Sequence, residues 1–136
     1  MKQLYVNRFI MKYSIIAICF MLLVSCSNKK EETPGTINLK EGTWRISFYW
    51  DEKDETSNFT GYALMFGDVG VLMAHKGSAM YTGTWSQTST RLTINFTDPV
   101  LSELNDDWLI TETGTNTIKV KDDNPAQDDQ LHLTKN

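Results

Sequence analysis

Hydrophobic and polar residues alternate along most of the chain after residue 42, and this period of two is typical of half-buried β-strands. In the first such segment, Trp44, Ile46, Phe48 and Trp50 alternate with other residues and are predicted to face inward. Seven further strands are predicted from the same alternation. Their inward positions are Tyr62, Leu64 and Phe66; Leu72 and Ala74; Tyr81, Gly83 and Trp85; Leu92, Ile94 and Phe96; Trp108 and Ile110; Ile118 and Val120; and Leu131 and Leu133.

Short turn sequences join most of these strands. Gly67–Gly70, Lys76–Ser78 and Gly114–Asn116 are rich in residues that favour tight turns. Strands joined in this way form an antiparallel meander, and a meander of eight strands removes its exposed edges by closing into an up-and-down barrel. The predicted fold class is therefore all-β, an eight-stranded antiparallel barrel. A β-sandwich is the alternative.

One segment departs from the alternation. Asp98 and Pro99 form a helix start, because Asp caps exposed amides and Pro fits the first helical position. A short helix that closes one end of the barrel is therefore predicted here. Apolar residues follow at spacings of three and four, namely Val100, Leu101, Leu104 and Trp108.

The first residues of the chain predict export. Lys2, Arg8 and Lys12 precede an apolar run at residues 15–24, which is about half the length that a membrane-spanning helix requires. A basic start followed by a short apolar run is typical of a signal peptide. Met1 and Met11 are both possible starts of this segment.

The residues that follow the apolar run resemble the lipobox of bacterial lipoproteins, with the sequence Leu-Val-Ser-Cys at residues 23–26. The resemblance implies cleavage before Cys26 and lipid attachment to its thiol. The domain assignment is then a signal peptide at residues 1–25, a lipidated and disordered tether at 26–40, and a barrel at 41–136. The expected location is the cell envelope, anchored in the outer membrane, with the cell surface as an option because Lys29–Glu32 resembles a surface-export signal.

The charge and the cysteine content exclude nucleic-acid binding and thiol-dependent sites. All 17 acidic residues follow Cys26, whereas three of the 13 basic residues precede it, so the processed chain carries ten basic residues and a net charge of −7. Such an acidic domain has no electrostatic footprint for nucleic acid. Cys19 leaves with the signal peptide and Cys26 carries lipid, so no thiol remains for a disulfide or a metal.

The barrel segment also resembles small lipocalin-like lipoproteins of Gram-negative bacteria. Gly42-Thr43-Trp44 matches the Gly-x-Trp that opens the first lipocalin strand. The resemblance implies a calycin-type barrel. The lipocalin Thr-Asp-Tyr element is absent, because Pro99 follows Thr97-Asp98. The other matching residues, in order, are Gly61-Tyr62, Phe66, Gly70, Gly83-Thr84-Trp85 and Asn105-Asp106-Asp107-Trp108.

No motif for catalysis is present in the sequence, and the protein is predicted not to be an enzyme and to need no cofactor. There is no Gly-x-Ser-x-Gly turn, and two histidines, His75 and His132, are too few for a structural zinc site without cysteines. Acidic residues in the segment 121–130 offer a calcium site as an alternative, although EF-hand spacing is missing. No metal site is expected overall.

Two binding functions remain. The first is a protein-interaction or accessory module on an envelope complex. The alternative is a carrier of a small hydrophobic ligand, for which the predicted ligand-binding residues are Trp50, Tyr62, Tyr81 and Trp85. Large side chains dominate the predicted interior, so we expect a filled core that leaves hydrophobic molecules only the mouth of the barrel. Weak or no binding of a fatty-acid or haem-like probe is therefore expected.

Overall fold

A computed structural model describes residues 37–136, which form a closed all-β barrel. The alternating segments of the sequence became strands because one face of each strand can be buried in a common interior. The strands are β1 (Trp44–Asp51), β2 (Lys53–Asp54), β3 (Ala63–Phe66), β4 (Val71–Lys76), β5 (Ala79–Gln87), β6 (Arg91–Phe96), β7 (Asp106–Thr113), β8 (Thr117–Lys121) and β9 (Gln130–Lys135).

Each long strand pairs antiparallel with the next long strand, and the ring closes where β1 pairs with β9. The closure runs from Trp44 opposite Lys135 to Trp50 opposite Gln130. The short β2 lies outside the ring and only pairs with the end of β1. The predicted eight-stranded up-and-down barrel is thus confirmed, and the sandwich alternative is wrong because one continuous sheet closes on itself.

The interior of the barrel is apolar. The core of residues 37–136 holds no buried polar or charged residue, each of which would need a hydrogen-bond partner there. Trp44 is 0% exposed, as predicted for the first inward position of β1. The inward residues of the remaining strands pack around it. They include Leu64, Phe66, Leu72, Ala74, Leu92, Ile94, Phe96, Trp108, Ile118, Val120, Leu131 and Leu133.

A β-bulge changes which residues of β1 face inward. The pairing with β9 shifts between Ile46 and Phe48, so that one extra residue stands on β1. Beyond the bulge, Tyr49 is the buried residue and pairs with a buried leucine of β9, whereas Phe48 and Trp50 lie on the outer face. The prediction that Phe48 and Trp50 face inward is wrong, because strict alternation does not anticipate an inserted residue.

Two single turns of 3-10 helix close the end of the barrel at which β1 and β6 finish. Leu101–Leu104 is the segment that the sequence predicted as a short helix, and it buries Leu101 and Leu104. Asp98 Oδ1 accepts hydrogen bonds of 3.0 Å from the amides of Val100 and Leu101, as expected for a cap. The second turn, Thr56–Phe59, buries Phe59 against Tyr49.

At the opposite end, the chain enters the described part across the mouth of the barrel. Ile37 and Leu39 are 7% and 1% exposed, so the core includes residues that the sequence analysis assigned to the tether. We call Ile37–Lys40 the strap. The signal peptide, Cys26 and the tether before the strap lie outside the described residues. Within residues 37–136, no helix is long and apolar enough to span a membrane.

Candidate ligand-binding site at the mouth of the barrel

A cavity of about 720 Å³ lies at the strap end of the barrel. The strap covers one side of it, and the β5–β6 turn and the end of β7 form the other sides. A β-barrel leaves such a space where the strands end and inward side chains no longer meet across the axis. The residues that line the cavity are Ile37, Asn38, Leu39, Lys40, Gly70, Trp85, Ser86, Gln87, Thr88, Ser89, Ile110 and Thr113.

The floor of the cavity is apolar and is organised around Trp85. The indole ring of Trp85 packs edge-on against Phe66, with ring centroids 5.0 Å apart. Its Nε1 donates a hydrogen bond of 3.0 Å to the carbonyl oxygen of Gly67 in the β3–β4 turn. Ile110, from β7, is also partly buried and packs against the core. Trp85 therefore presents a fixed, partly exposed aromatic face to the cavity.

The rim of the cavity is polar. Hydroxyl and amide side chains come from the β5–β6 turn, and Lys40 comes from the strap. Lys40 Nζ lies 2.7 Å from Asp68 Oδ1, and this contact joins the strap to the β3–β4 turn. On the β7 side, the hydroxyl of Thr113 is buried and has no hydrogen-bond partner among the described residues. Such a group can accept a partner from a bound molecule.

The structure separates the four predicted ligand-binding residues. Trp85 alone lines the mouth cavity. Tyr62 and Tyr81 lie near the closed end with ring centroids 5.8 Å apart, and Lys76 Nζ lies 4.5 Å above the Tyr62 ring. Trp50 lies on the outer face of β1. The four residues therefore do not form one site.

Sequence reasoning missed the strap as part of the site. Its apolar residues alternate, with Ile37 and Leu39 inward and Asn38 and Lys40 outward. This short alternation is the signal that could have identified it, but the segment follows directly after a polar linker sequence. The strap is held against the mouth by a hydrogen bond from the Trp44 indole to the Leu39 carbonyl oxygen, and no sequence pattern specifies this contact.

The opposite end of the barrel is closed and acidic. Burial raises the pKa of the Tyr49 hydroxyl, and nearby carboxylates led by Asp51 raise it further. The same hydroxyl donates a hydrogen bond of 2.6 Å to the Glu103 carbonyl oxygen, which ties β1 to the 3-10 turn. Burial also raises the pKa of Asp106 and of Asp129, with further increases from the neighbouring acids. The two 3-10 turns cover this end of the barrel.

The two histidines lie far from the cavity lining, on the outer face of the sheet. His132 packs on Phe48 with ring centroids 4.8 Å apart, and burial followed by the charge of Lys119 lowers its pKa. His75 lies on β4 and pairs across the sheet with Met80. Within residues 37–136, no three histidine, cysteine or acidic side chains are placed to hold a metal ion together.

Comparisons with known proteins extend the description of the fold. The barrel is similar to the crystal structure of a DUF4847 family protein from Bacteroides vulgatus ATCC 8482, with a TM-score of 0.55 and 12% sequence identity. The match covers 72% of this chain and 94% of that one. No family model matches the sequence, and no curated protein is similar to it. The structural likeness supports the barrel fold alone.

Proposed function

We propose that this protein is a non-catalytic binding protein of the cell envelope, and that it holds a small amphiphilic ligand in its mouth cavity. The observation that carries the proposal is the cavity of about 720 Å³ with an apolar floor and a polar rim. Ligand sites of this size are mostly apolar and contain a few polar groups that orient the ligand. The aromatic part of a ligand would lie on Trp85, and its polar group would reach Lys40 and the Thr113 hydroxyl.

The composition of the cavity supports binding in preference to catalysis. Among the described residues, those that line it include no histidine, cysteine or carboxylate. General acid–base catalysis needs a group of that kind within hydrogen-bond reach of the substrate. Lys40 is the charged residue of the lining, and it already pairs with Asp68.

Lipid attachment at Cys26 completes the proposal. The lipobox-like sequence and the preceding apolar run support export and anchoring. The ten residues between Cys26 and the strap could span at most about 40 Å when fully extended. An anchored domain would therefore stay close to a membrane, with the strap end on its anchored side. A lipocalin-like relationship, which the Gly42-Thr43-Trp44 sequence supports, belongs to the same proposal.

The test of the ligand site uses residues 36–136, which contain the closed barrel and its core. We expect this segment to be soluble and β-rich by circular dichroism. Titration with anilinonaphthalene sulfonate, which combines an aromatic body with an anion, should give saturable one-to-one binding. Ile110→Trp should abolish it by filling the cavity, and Lys40→Gln should weaken it by removing the cation.

Trp50→Phe on the outer face serves as the matched control and should leave the affinity unchanged. If Ile110→Trp folds, as judged by its circular dichroism spectrum, and still binds the probe with the affinity of the parent, the mouth cavity is not the binding site. Weakening of equal size by Trp50→Phe would also exclude the mouth cavity as the site.

The second candidate function is a protein-interaction module, and a specific observation supports it. Val69 is 97% exposed in the β3–β4 turn, next to Gly70, which lines the cavity. Exposed apolar patches mark interaction sites, and Val71, two residues further along the chain, is 36% exposed. A photo-crosslinking residue at position 69 should then capture a defined partner in intact cells, whereas the same residue at Thr115 should not.

A further inference from the structure

Methionines are concentrated on one outer face of the barrel. The chain has six methionines, and the three that follow residue 26 are Met65, Met73 and Met80. They lie on the adjacent strands β3, β4 and β5. His75, one of only two histidines in the sequence, lies on β4 between them. All of the sulfur of the barrel is therefore placed beside one imidazole.

The strand register brings these four side chains together. Met65 is directly opposite Met73, and His75 is directly opposite Met80. Side chains directly opposite each other have Cβ atoms about 4.5–5.5 Å apart. Met73 and His75 are two residues apart on β4, so they point to the same side of the sheet. The four side chains thus form two adjacent cross-strand pairs on one surface.

Burial confirms that this surface is the outer face. The alternate residues of the same strands, such as Leu64, Leu72 and Ala74, are 0% exposed and form the core. Met65, Met73 and His75 are half-buried, and Met80 is 61% exposed. The cluster is consequently open to solvent through Met80, while its inner members are shielded from water.

The His75 imidazole has an unused nitrogen within this cluster. Its Nε2 is buried and has no hydrogen-bond partner among the described residues. Buried polar nitrogens are normally paired, so this nitrogen is available to a partner from outside the chain. Its nearest cross-strand neighbours, Ala63 and Met80, have no side-chain group that forms a strong hydrogen bond.

We propose that Met65, Met73, His75 and Met80 form a surface site for a single soft metal ion, Cu(I). Thioether sulfur and imidazole are ligands that suit copper, and soft thioethers favour Cu(I) over hard ions such as Mg²⁺ and Ca²⁺. Methionine side chains have three rotatable bonds, so sulfur atoms on neighbouring strands can turn toward a common ion. Neutral ligands also suit a monovalent ion, because little charge has to be balanced.

The site is independent of the mouth cavity, since it lies on the outer face and shares none of the residues that line the cavity. Its ligands also differ from those of a structural zinc site or of a calcium site in the segment 121–130. Those sites depend on cysteine, histidine or acidic residues, whereas this one depends on the thioethers of Met65, Met73 and Met80.

The test uses the full chain with Cys19→Ser and Cys26→Ser, which remove competing thiols, purified in detergent. Cu(I) is kept reduced with ascorbate under nitrogen and titrated against bicinchoninate, a Cu(I) chelator with a visible absorbance. One equivalent of Cu(I) per chain should be withdrawn from the chelator. His75→Gln should weaken binding by at least about tenfold, in line with the effect of perturbing a metal site.

Changing the three methionines to leucine should abolish Cu(I) binding. The barrel should still fold, because a methionine-to-leucine change nearly conserves side-chain volume. His132→Gln is the matched control for the other outer-face histidine and should leave the affinity unchanged. The proposed site is wrong if the leucine variant withdraws as much Cu(I) as the parent. It is also wrong if His132→Gln lowers the Cu(I) affinity as much as His75→Gln does.

A second measurement locates the ion directly. With methyl-labelled methionine, Ag(I), a redox-inert substitute for Cu(I), should shift the methyl resonances of Met65, Met73 and Met80 in nuclear magnetic resonance spectra. The signals of Met1, Met11 and Met21 from the same chain are an internal control and should remain in place. Equal shifts of all six signals would overturn the proposal.

Discussion

The indole nitrogen of Trp44 donates a hydrogen bond of 2.9 Å to the carbonyl oxygen of Leu39, and both residues are at most 1% exposed. This contact joins the first strand to the strap that covers the mouth. The aromatic ring at the start of β1 therefore has two roles, because it fills the core and also satisfies a buried carbonyl. Any ligand in the mouth would touch a wall that Trp44 holds in place.

Replacing Trp44 with Phe should therefore destabilise the barrel by about 2 kcal/mol, because the buried Leu39 carbonyl loses its donor. Trp44→Ala should cost more, about 3–5 kcal/mol, since a cavity is added. Urea unfolding monitored by circular dichroism measures both values. Trp50→Phe is the control, because the Trp50 Nε1 has no hydrogen-bond partner among the described residues. Equal losses for Trp44→Phe and Trp50→Phe would contradict the role of the hydrogen bond.

The fold was largely predictable from the sequence because the period-two pattern depends only on which side of a sheet is buried. Trp44, Leu64 and Leu133 were placed inward by this rule, and each is 0% exposed. The rule failed after Ile46, because a bulge inserts one residue and reverses the phase. Bulges depend on the pairing with β9, which is more than 80 residues away in the chain.

The candidate site was predictable only in part. Trp85 was among the predicted ligand-binding residues, and it lines the mouth cavity. That a hydrophobic ligand reaches only the mouth stays a prediction. The grouping of Trp85 with Trp50, Tyr62 and Tyr81 was not realised, since residues can share an inward phase and still lie at opposite ends of a barrel. Height along the barrel axis depends on strand tilt and stagger, which local pattern does not contain.

The turn between β3 and β4 stores backbone strain at Val69. Its φ of 50° is in the left-handed region, where β-branched residues are rare. Val69→Asn should raise the free energy of unfolding by about 1 kcal/mol, because Asn tolerates this conformation. Val71→Asn, at the start of β4 with extended backbone, is the control and should not be stabilising. A lower melting temperature for Val69→Asn would show that the strain is compensated in another way.

Strain of this kind persists where the surrounding structure or a function maintains it. If Val69 contacts a protein partner, Val69→Asn should be more stable and yet lose photo-crosslinking to that partner when the probe is placed at the neighbouring Asp68. If Val69→Asn gains stability and crosslinking is unchanged, the strained Val69 is not needed for the contact with the partner.

Gly83 permits close packing between β5 and β6. A Cβ atom at this position would lie 2.6 Å from Phe96 Cδ1 and would also collide with the Asn95 carbonyl oxygen. Gly83→Ala should therefore destabilise the barrel by about 1–3 kcal/mol through overpacking. At Gly114 the nearest atom is the Thr117 hydroxyl, which can rotate away, so Gly114→Ala should cost less. Thermal unfolding of the two variants compares them, and equal losses would argue against the steric role of Gly83.

The acidic closed end should make stability depend on pH through Asp129. Burial first, and then the charges of Asp51, Asp122 and other acids, raise the pKa of Asp129 above its usual 3.8. The folded state therefore binds the Asp129 proton more tightly than the unfolded state does. A raised carboxyl pKa lowers stability at pH values above it, and the penalty disappears as the pH falls through the folded pKa toward 3.8.

Asp129→Asn should consequently be more stable than the parent at neutral pH, and its advantage should shrink as the pH falls through the folded pKa of Asp129 toward the unfolded value of 3.8. Urea unfolding across this pH range provides the measurement. Asp68→Asn is a control of opposite sign, because Lys40 lowers the Asp68 pKa, so its loss should not stabilise the barrel at neutral pH. If Asp129→Asn and the parent have equal stability at neutral pH, the carboxylates at the closed end are too well solvated to repel one another, and the raised pKa of Asp129 has no consequence for folding.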